Sequence, residues 1–531
     1  MAPAPPRSDL APARRALSEG RLRDVQALCR RALGTDPNDA AAWTLLGQAA
    51  LMSGALKEAE EFLGRAVAAS DRSPEAHAFQ ARLHFVRNDP LAARQAAERA
   101  WSRLPKDRSG VDVEALDSLA VVFNRTGAHA QARELFRAAT QGAPKRSGLW
   151  LNLGWSEQHM GDLAASEAAF RKAIETDPRN DAAYSALVGM VKQTEDNNFI
   201  PQLEKLFGAT TDPERRLHIG HALAKTHEDM GDPASAMAWL LKAKAGKAAQ
   251  VKNDADADAE MLKAAIEIAR PPFAAPAEAP LPRPLFVLGL PRSGTTLVDR
   301  ILSSHPEVQS LGEPPTLGLL VRQLARTGGR RLADAAILRA AAAAPAQHLA
   351  ALGEAYRRQS RAAWTADGQV RWLIDKTPLN VIYAGLILKA LPEARIICLR
   401  RDPMDSCLAI FRQKFTTRFN NYDFTFDLEQ TARFVKGFND LADHLKATLP
   451  PERYAEAVYE QMVEDQEGET RRLLDFCGLP FDPACLDFHE NKAPVDSASA
   501  AQVRRPIYRS SVGRWRAYGE AMETARAILQ P

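Results

Sequence analysis

The chain has 531 residues, 46% apolar and 25% charged, which excludes a wholly disordered or collagen-like polypeptide and leaves room for about two to four domains. Its 69 basic and 66 acidic side chains leave a net charge of +3, so the overall balance makes no case for a nucleic-acid binder. Five cysteines, from Cys29 to Cys485, form neither a disulfide framework nor a Cys-x-x-Cys pair, and no run of about 18 apolar residues marks a membrane span. The opening segment lacks the apolar stretch of a signal peptide, so the expectation is a reduced, soluble, cytoplasmic protein without a metal site.

The first half repeats itself. The stretch from Ala41 aligns with the stretch from Gly148: Trp43 matches Trp150, Leu46-Gly47 matches Leu153-Gly154, Gly54 matches Gly161, and Ala66 matches Ala173. Turn residues recur at Gly20, Gly54, Asn88, Gly127, Gly161, Asn197 and Gly231, mostly at the period of about 34 residues that a helix–turn–helix unit takes. Small residues (Gly47, Ala59, Ala66) are expected where the two helices of a pair approach closely, and large ones (Trp43, Leu46, Phe62) between pairs. Pro37, Pro178 and Pro213 are expected to start helices. These features resemble a tetratricopeptide-repeat array over roughly residues 10–245, with an irregular unit from Asn180 to Thr211. Residues 246–284, charged and then rich in proline between Pro271 and Pro284, are expected to form a linker.

A second domain is expected over residues 285–531. The apolar run Leu285–Leu290 predicts a buried parallel strand, and Thr295–Ser303 predicts a helix. Between them, GLPRSGTT (Gly289 to Thr296) places a glycine loop and a helix N-terminus together, an arrangement that cradles anions. It departs from the Walker A pattern by Thr295 in place of Lys, with Arg292 supplying a cation two residues before the second glycine. That disfavours a triphosphate held with Mg²⁺.

With PRSGTT between strand and helix, followed by His305-Pro306-Glu307-Val308 and Gly312-Glu313, residues 283–520 resemble the sulfotransferases that use 3′-phosphoadenosine-5′-phosphosulfate (PAPS). The tyrosylprotein branch is the most similar. The resemblance implies an α/β domain with a parallel sheet behind an all-α helix–turn–helix solenoid. It implies that Arg292, Ser293, Gly294, Thr295 and Thr296 hold the 5′-phosphosulfate, and that Arg401, after the strand Arg395–Leu399, holds the 3′-phosphate. Where the family has a serine beside that phosphate this chain has Ala409, and Ser406, one turn earlier, is the expected substitute. Lys376, after the strand Trp372–Ile374, matches the family's lysine at the leaving oxygen, and Glu313 its catalytic carboxylate. Tyr459 matches the adenosine contact, and Arg514, in a segment with arginines also at 504, 505, 509 and 516, the loop that closes over the phosphates. A branch serine is replaced by Gly513, so Ser510 or Ser511 would supply that hydroxyl.

The implied activity is sulfuryl transfer to an acceptor hydroxyl, a tyrosine of a peptide or protein, with the repeats recruiting acceptor or partner. Saccharide and small-molecule acceptors stay open. Two other readings also stay open: a scaffold with a degenerate transferase domain, and a P-loop kinase or NTPase in which Asp375 holds Mg²⁺.

Overall fold

The computed structural model describes residues 9–87, 89–251, 254–275, 281–327, 331–362, 370–415, 422–491, 493 and 502–530. The chain divides into two compact units, Met1–Ala183 and Tyr184–Pro531, the division falling inside the helix Asp181–Met190.

The first unit is a series of helix pairs. Gly54, Gly127 and Gly161 each sit at positive φ in the turn within a pair, where a side chain would be strained; Asn88 lies outside the described residues. The small-residue expectation holds: a Cβ added to Gly154 would come within 2.9 Å of Phe170 Cζ on the partner helix. Trp43 stacks on Phe62 at 5.8 Å across the two helices of one pair, Ala40–Ser53 and Leu56–Ala69, and both pack against the core that Leu46 shares with Val25 and Cys29 of the preceding helix. Trp43 is fixed there by its indole N–H, which donates to Pro37 O at 2.9 Å. Pro37 and Pro178 lie in turns and do not open helices; Asp39 caps the helix Ala40–Ser53 with its carboxylate. Pro213 does open the helix Pro213–Asp229, behind the Asp212 cap.

The second unit holds a five-stranded parallel sheet: β1 Arg283–Gly289, β2 Val308–Ser310, β3 Trp372–Asp375, β4 Arg395–Arg400 and β5 Tyr454–Val458, in the order β2-β3-β1-β4-β5. Alternate residues of β1 serve two cores. Phe286 and Leu288 join one, with helices Ala384–Ala390 and Leu428–Thr448; Leu285 and Val287 join the other, with helices Thr295–Ser303 and Gln466–Cys477. This two-sided burial is why the strands read as continuous apolar runs.

The expected boundaries differ from the compact units. Helices Pro213–Asp229 and Pro233–Val251 lie in the second unit, where Ala224, Met237 and Leu240 enter its larger core. The expected linker 246–284 is largely packed. Its helix Ala255–Ile268 buries Met261, Leu262, Ala265 and Ile268 in the same core, and Lys389 Nζ donates to Ile268 O at 3.0 Å. Residues 276–280, inside the proline-rich stretch, lie outside the described residues.

Candidate active site

Ligands of open parallel sheets bind beyond the carboxyl ends of the strands. Here each strand delivers one expected site residue at that end, in sheet order: Glu313 after β2, Lys376 after β3, the loop Leu290–Gly294 after β1, Arg401 after β4 and Tyr459 after β5.

The loop is shaped by its backbone. Gly289 and Gly294 have φ of +149° and +107°, and Arg292 takes the left-handed region at +67°, uncommon for a residue with a Cβ. Ser293 Oγ donates to Leu290 O at 2.7 Å and locks the turn, so this hydroxyl serves the loop itself. Thr295 and Thr296, both buried, open the helix Thr295–Ser303, whose first amides lack intrahelical acceptors. A Cβ on Gly294 would stand 2.8 Å from the Tyr459 ring, so the close approach of loop and tyrosine requires glycine.

Arg401 ties these parts together. Its guanidinium donates to Arg292 O at 2.9 Å and Ser511 O at 2.6 Å, and lies 4.5 Å from the Tyr459 ring centroid. Its Nε is buried without a partner among the described residues, as is the hydroxyl of Ser406 on the helix Pro403–Phe411. Orphaned buried donors of this kind are costly unless a ligand completes them. Arg292 is half-buried and donates to Gln502 Oε1 at 2.8 Å; burial, then the nearby Arg412 and Arg401 cations, lower its pKa to about 10.

On the other side of the loop, Lys376 is 2% exposed and ion-pairs with Glu313, whose side chain is 37% exposed. The pairing is built into the ladder: Leu311 N donates to Ile374 O at 2.8 Å and Lys376 N to Gly312 O at 2.9 Å, which sets the two side chains beside each other. Asp375 points elsewhere. Its carboxylate accepts from Tyr356 Oη at 2.9 Å and Thr377 N at 3.0 Å, and burial raises its pKa to about 6, so it anchors the β3 end from within the core.

Arg514 is committed differently from expectation. It pairs with the buried Glu228 at 2.8 Å, alongside Arg412. Gly513, which lacks the expected hydroxyl, instead donates its N–H to Asp405 Oδ2 at 2.6 Å. Ser511 meets the site through its carbonyl, which accepts from Arg401. Sequence reasoning missed Asp405, Arg412, Gln502 and Glu228. Only Asp405 carried a local signal, as a carboxylate four residues past Arg401, in the first turn of the helix Pro403–Phe411.

A model of the sulfotransferase family matches residues 284–483, and a tetratricopeptide-repeat model matches residues 16–83 and 125–191. An uncharacterized protein of Aquifex aeolicus is 29% identical over 416 residues, 75% of this chain and 52% of that protein. The Drosophila melanogaster protein-tyrosine sulfotransferase is 26% identical over 251 residues, 44% of this chain and 46% of that one. The chain thus spans about half the length of these two relatives. The sulfotransferase domain of the Synechococcus PCC 7002 olefin synthase is 21% identical, with 48% of this chain and 98% of that one covered and a TM-score of 0.32. The chain therefore joins tetratricopeptide repeats to a sulfotransferase-family domain with a parallel sheet.

Proposed function

We propose that this protein transfers the sulfuryl group of PAPS to an acceptor hydroxyl, a tyrosine of a peptide or protein. The observation that carries the reading is the ordered delivery of Glu313, Lys376, the loop, Arg401 and Tyr459 by five adjacent strand ends. Arg292, the loop amides and the hydroxyls of Thr295 and Thr296 hold the 5′-phosphosulfate. Arg401 and Ser406, whose donors are unmatched among the described residues, take the 3′-phosphate. Tyr459, backed by Arg401, contacts the adenine. The similarity to a protein-tyrosine sulfotransferase and the repeats support a polypeptide acceptor, with the repeats as its docking array.

The reaction forms an acceptor O–S bond and breaks the S–O bond to the phosphate. Glu313, paired with Lys376, accepts the acceptor's proton. Protonation weakens its hold on Lys376, so the ammonium becomes available to the bridging oxygen as charge develops there. Proton removal and leaving-group stabilisation are thereby coupled through one ion pair. No helix among the described residues is long and apolar enough to cross a membrane. All five cysteines are unpaired and buried, which suits the cytoplasmic location we assign.

The test is calorimetric titration with 3′-phosphoadenosine-5′-phosphate against ATP plus Mg²⁺, followed by turnover with labelled donor and a tyrosine peptide. Binding of the bisphosphate alone, and labelled tyrosine, are the expected results; ATP preference would overturn the reading. Glu313→Gln is expected to lower turnover by about 10²–10⁴-fold. Affinity for the bisphosphate should not fall, because the variant leaves Lys376 without its carboxylate.

A further inference from the structure

Glu228 is a buried carboxylate outside the span of the sulfotransferase match, on the helix Pro213–Asp229. Its side chain is 8% exposed, and it accepts from three groups: Arg514 at 2.8 Å, Arg412 and the Tyr518 hydroxyl. Burial would raise its pKa, but the two arginines outweigh this and hold it below the ordinary carboxylate range. Arg514 and Tyr518 belong to one segment. Ser511 O accepts from Arg401 at 2.6 Å, and Gly513 N and Trp515 N donate to Asp405 at 2.6 and 3.0 Å. The segment thus runs along the helix Pro403–Phe411, from Arg401 and Asp405 at its beginning to Arg412 just past its end. Gln502, upstream in the same stretch, receives the Arg292 guanidinium.

From these contacts we infer that Glu228 is a positioning residue of the donor site: it clasps Arg514, Tyr518 and Arg412 and so holds the 502–518 segment over the phosphate-binding arginines. The helix that carries it belongs to the transferase machinery and not to the recruiting array. The inference rests on the donor reading above and adds to it the origin of the closing segment's order. Simple electrostatics gives the opposite sign. Removing a carboxylate close to Arg412, which in turn lies near Arg292, makes the site more positive and should tighten an anion. Loss of a clasp should weaken it.

Glu228→Gln in the full-length protein therefore decides between the two. Titration with 3′-phosphoadenosine-5′-phosphate is expected to show about tenfold weaker binding, the low end for hydrogen bonds to charged groups. The donor KM should rise with kcat nearly unchanged, since the segment grips the donor equally before and during transfer. Without ligand, trypsin should cut the variant within residues 504–516 faster than wild type. In an Arg514→Gln background the same substitution should add little. If Glu228→Gln does not fold, Tyr518→Phe and Arg514→Gln release the clasp from the other side and must show the same loss. Wild-type binding with an unchanged or tighter variant overturns the clasp and leaves the donor reading intact. A wild type that does not bind the bisphosphate overturns both.

Discussion

Ser406 shows how a departure from a family pattern becomes interpretable once its surroundings are known. Ala409 is half-buried and offers no hydroxyl, whereas Ser406, one turn earlier, is 1% exposed with a hydroxyl that has no partner among the described residues. Ser406→Ala is expected to weaken 3′-phosphoadenosine-5′-phosphate by about tenfold, with little change for an analogue lacking the 3′-phosphate. Equal effects on both ligands, measured by calorimetry, would assign the serine to packing. Asp375 gives a second test. Its folded-state pKa of about 6 lies above the ordinary aspartate value of 3.8, so its contribution to stability is complete below pH 4 and is lost as pH rises through 6. Denaturation of wild type against Asp375→Asn at pH 4 and pH 7 should differ by up to about 3 kcal/mol, wild type losing more on going to the higher pH. The identities of Arg292, Arg401, Lys376 and Glu313 were legible in the sequence because short motifs carry them. That Lys376 and Glu313 pair was not, because it depends on the register between β2 and β3.

Among the elements, the strand–loop–helix around Gly289 and Gly294 was legible because its requirements are local: backbone freedom, then amides free to face an anion. The observed β1 Arg283–Gly289 and helix Thr295–Ser303 follow the predicted pair closely. The helix Ala255–Ile268 was hidden by charge. Asp254, Asp256, Asp258 and Glu260 dominate its sequence, yet Met261, Leu262, Ala265 and Ile268 form a stripe at helical spacing that the core takes up. In the repeats, glycine spacing encodes contact as well as turns. Gly154→Ala would press a methyl group into the Phe170 ring, and overpacking of this kind costs about 1–3 kcal/mol. Thermal unfolding should register the loss while donor affinity stays unchanged, since both residues lie in the first unit.

For the whole molecule, the division at Ala183 changes what a truncation should do. Removal of the first 180 residues is expected to leave a folded protein that binds 3′-phosphoadenosine-5′-phosphate. Removal of residues 1–245 is expected to aggregate or unfold it, because that cut deletes Ala224, Met237 and Leu240 from the larger core and Glu228 from its arginines. Expression of both fragments, with light scattering and ligand titration, checks the pair; a well-behaved 246–531 fragment would restore the boundary expected from sequence. By itself the sequence determined the periodic helix pairs, the strand–loop–helix cradle and the identity of the residues that follow each strand, because these depend on neighbours within a few turns. Only the tertiary structure decided that the last helix pair belongs with the transferase, that Arg514 answers to Glu228, and that five strand ends stand side by side in one order. Those outcomes depend on contacts between residues far apart in the chain, chosen by which apolar faces bury together, and no local spacing records that choice.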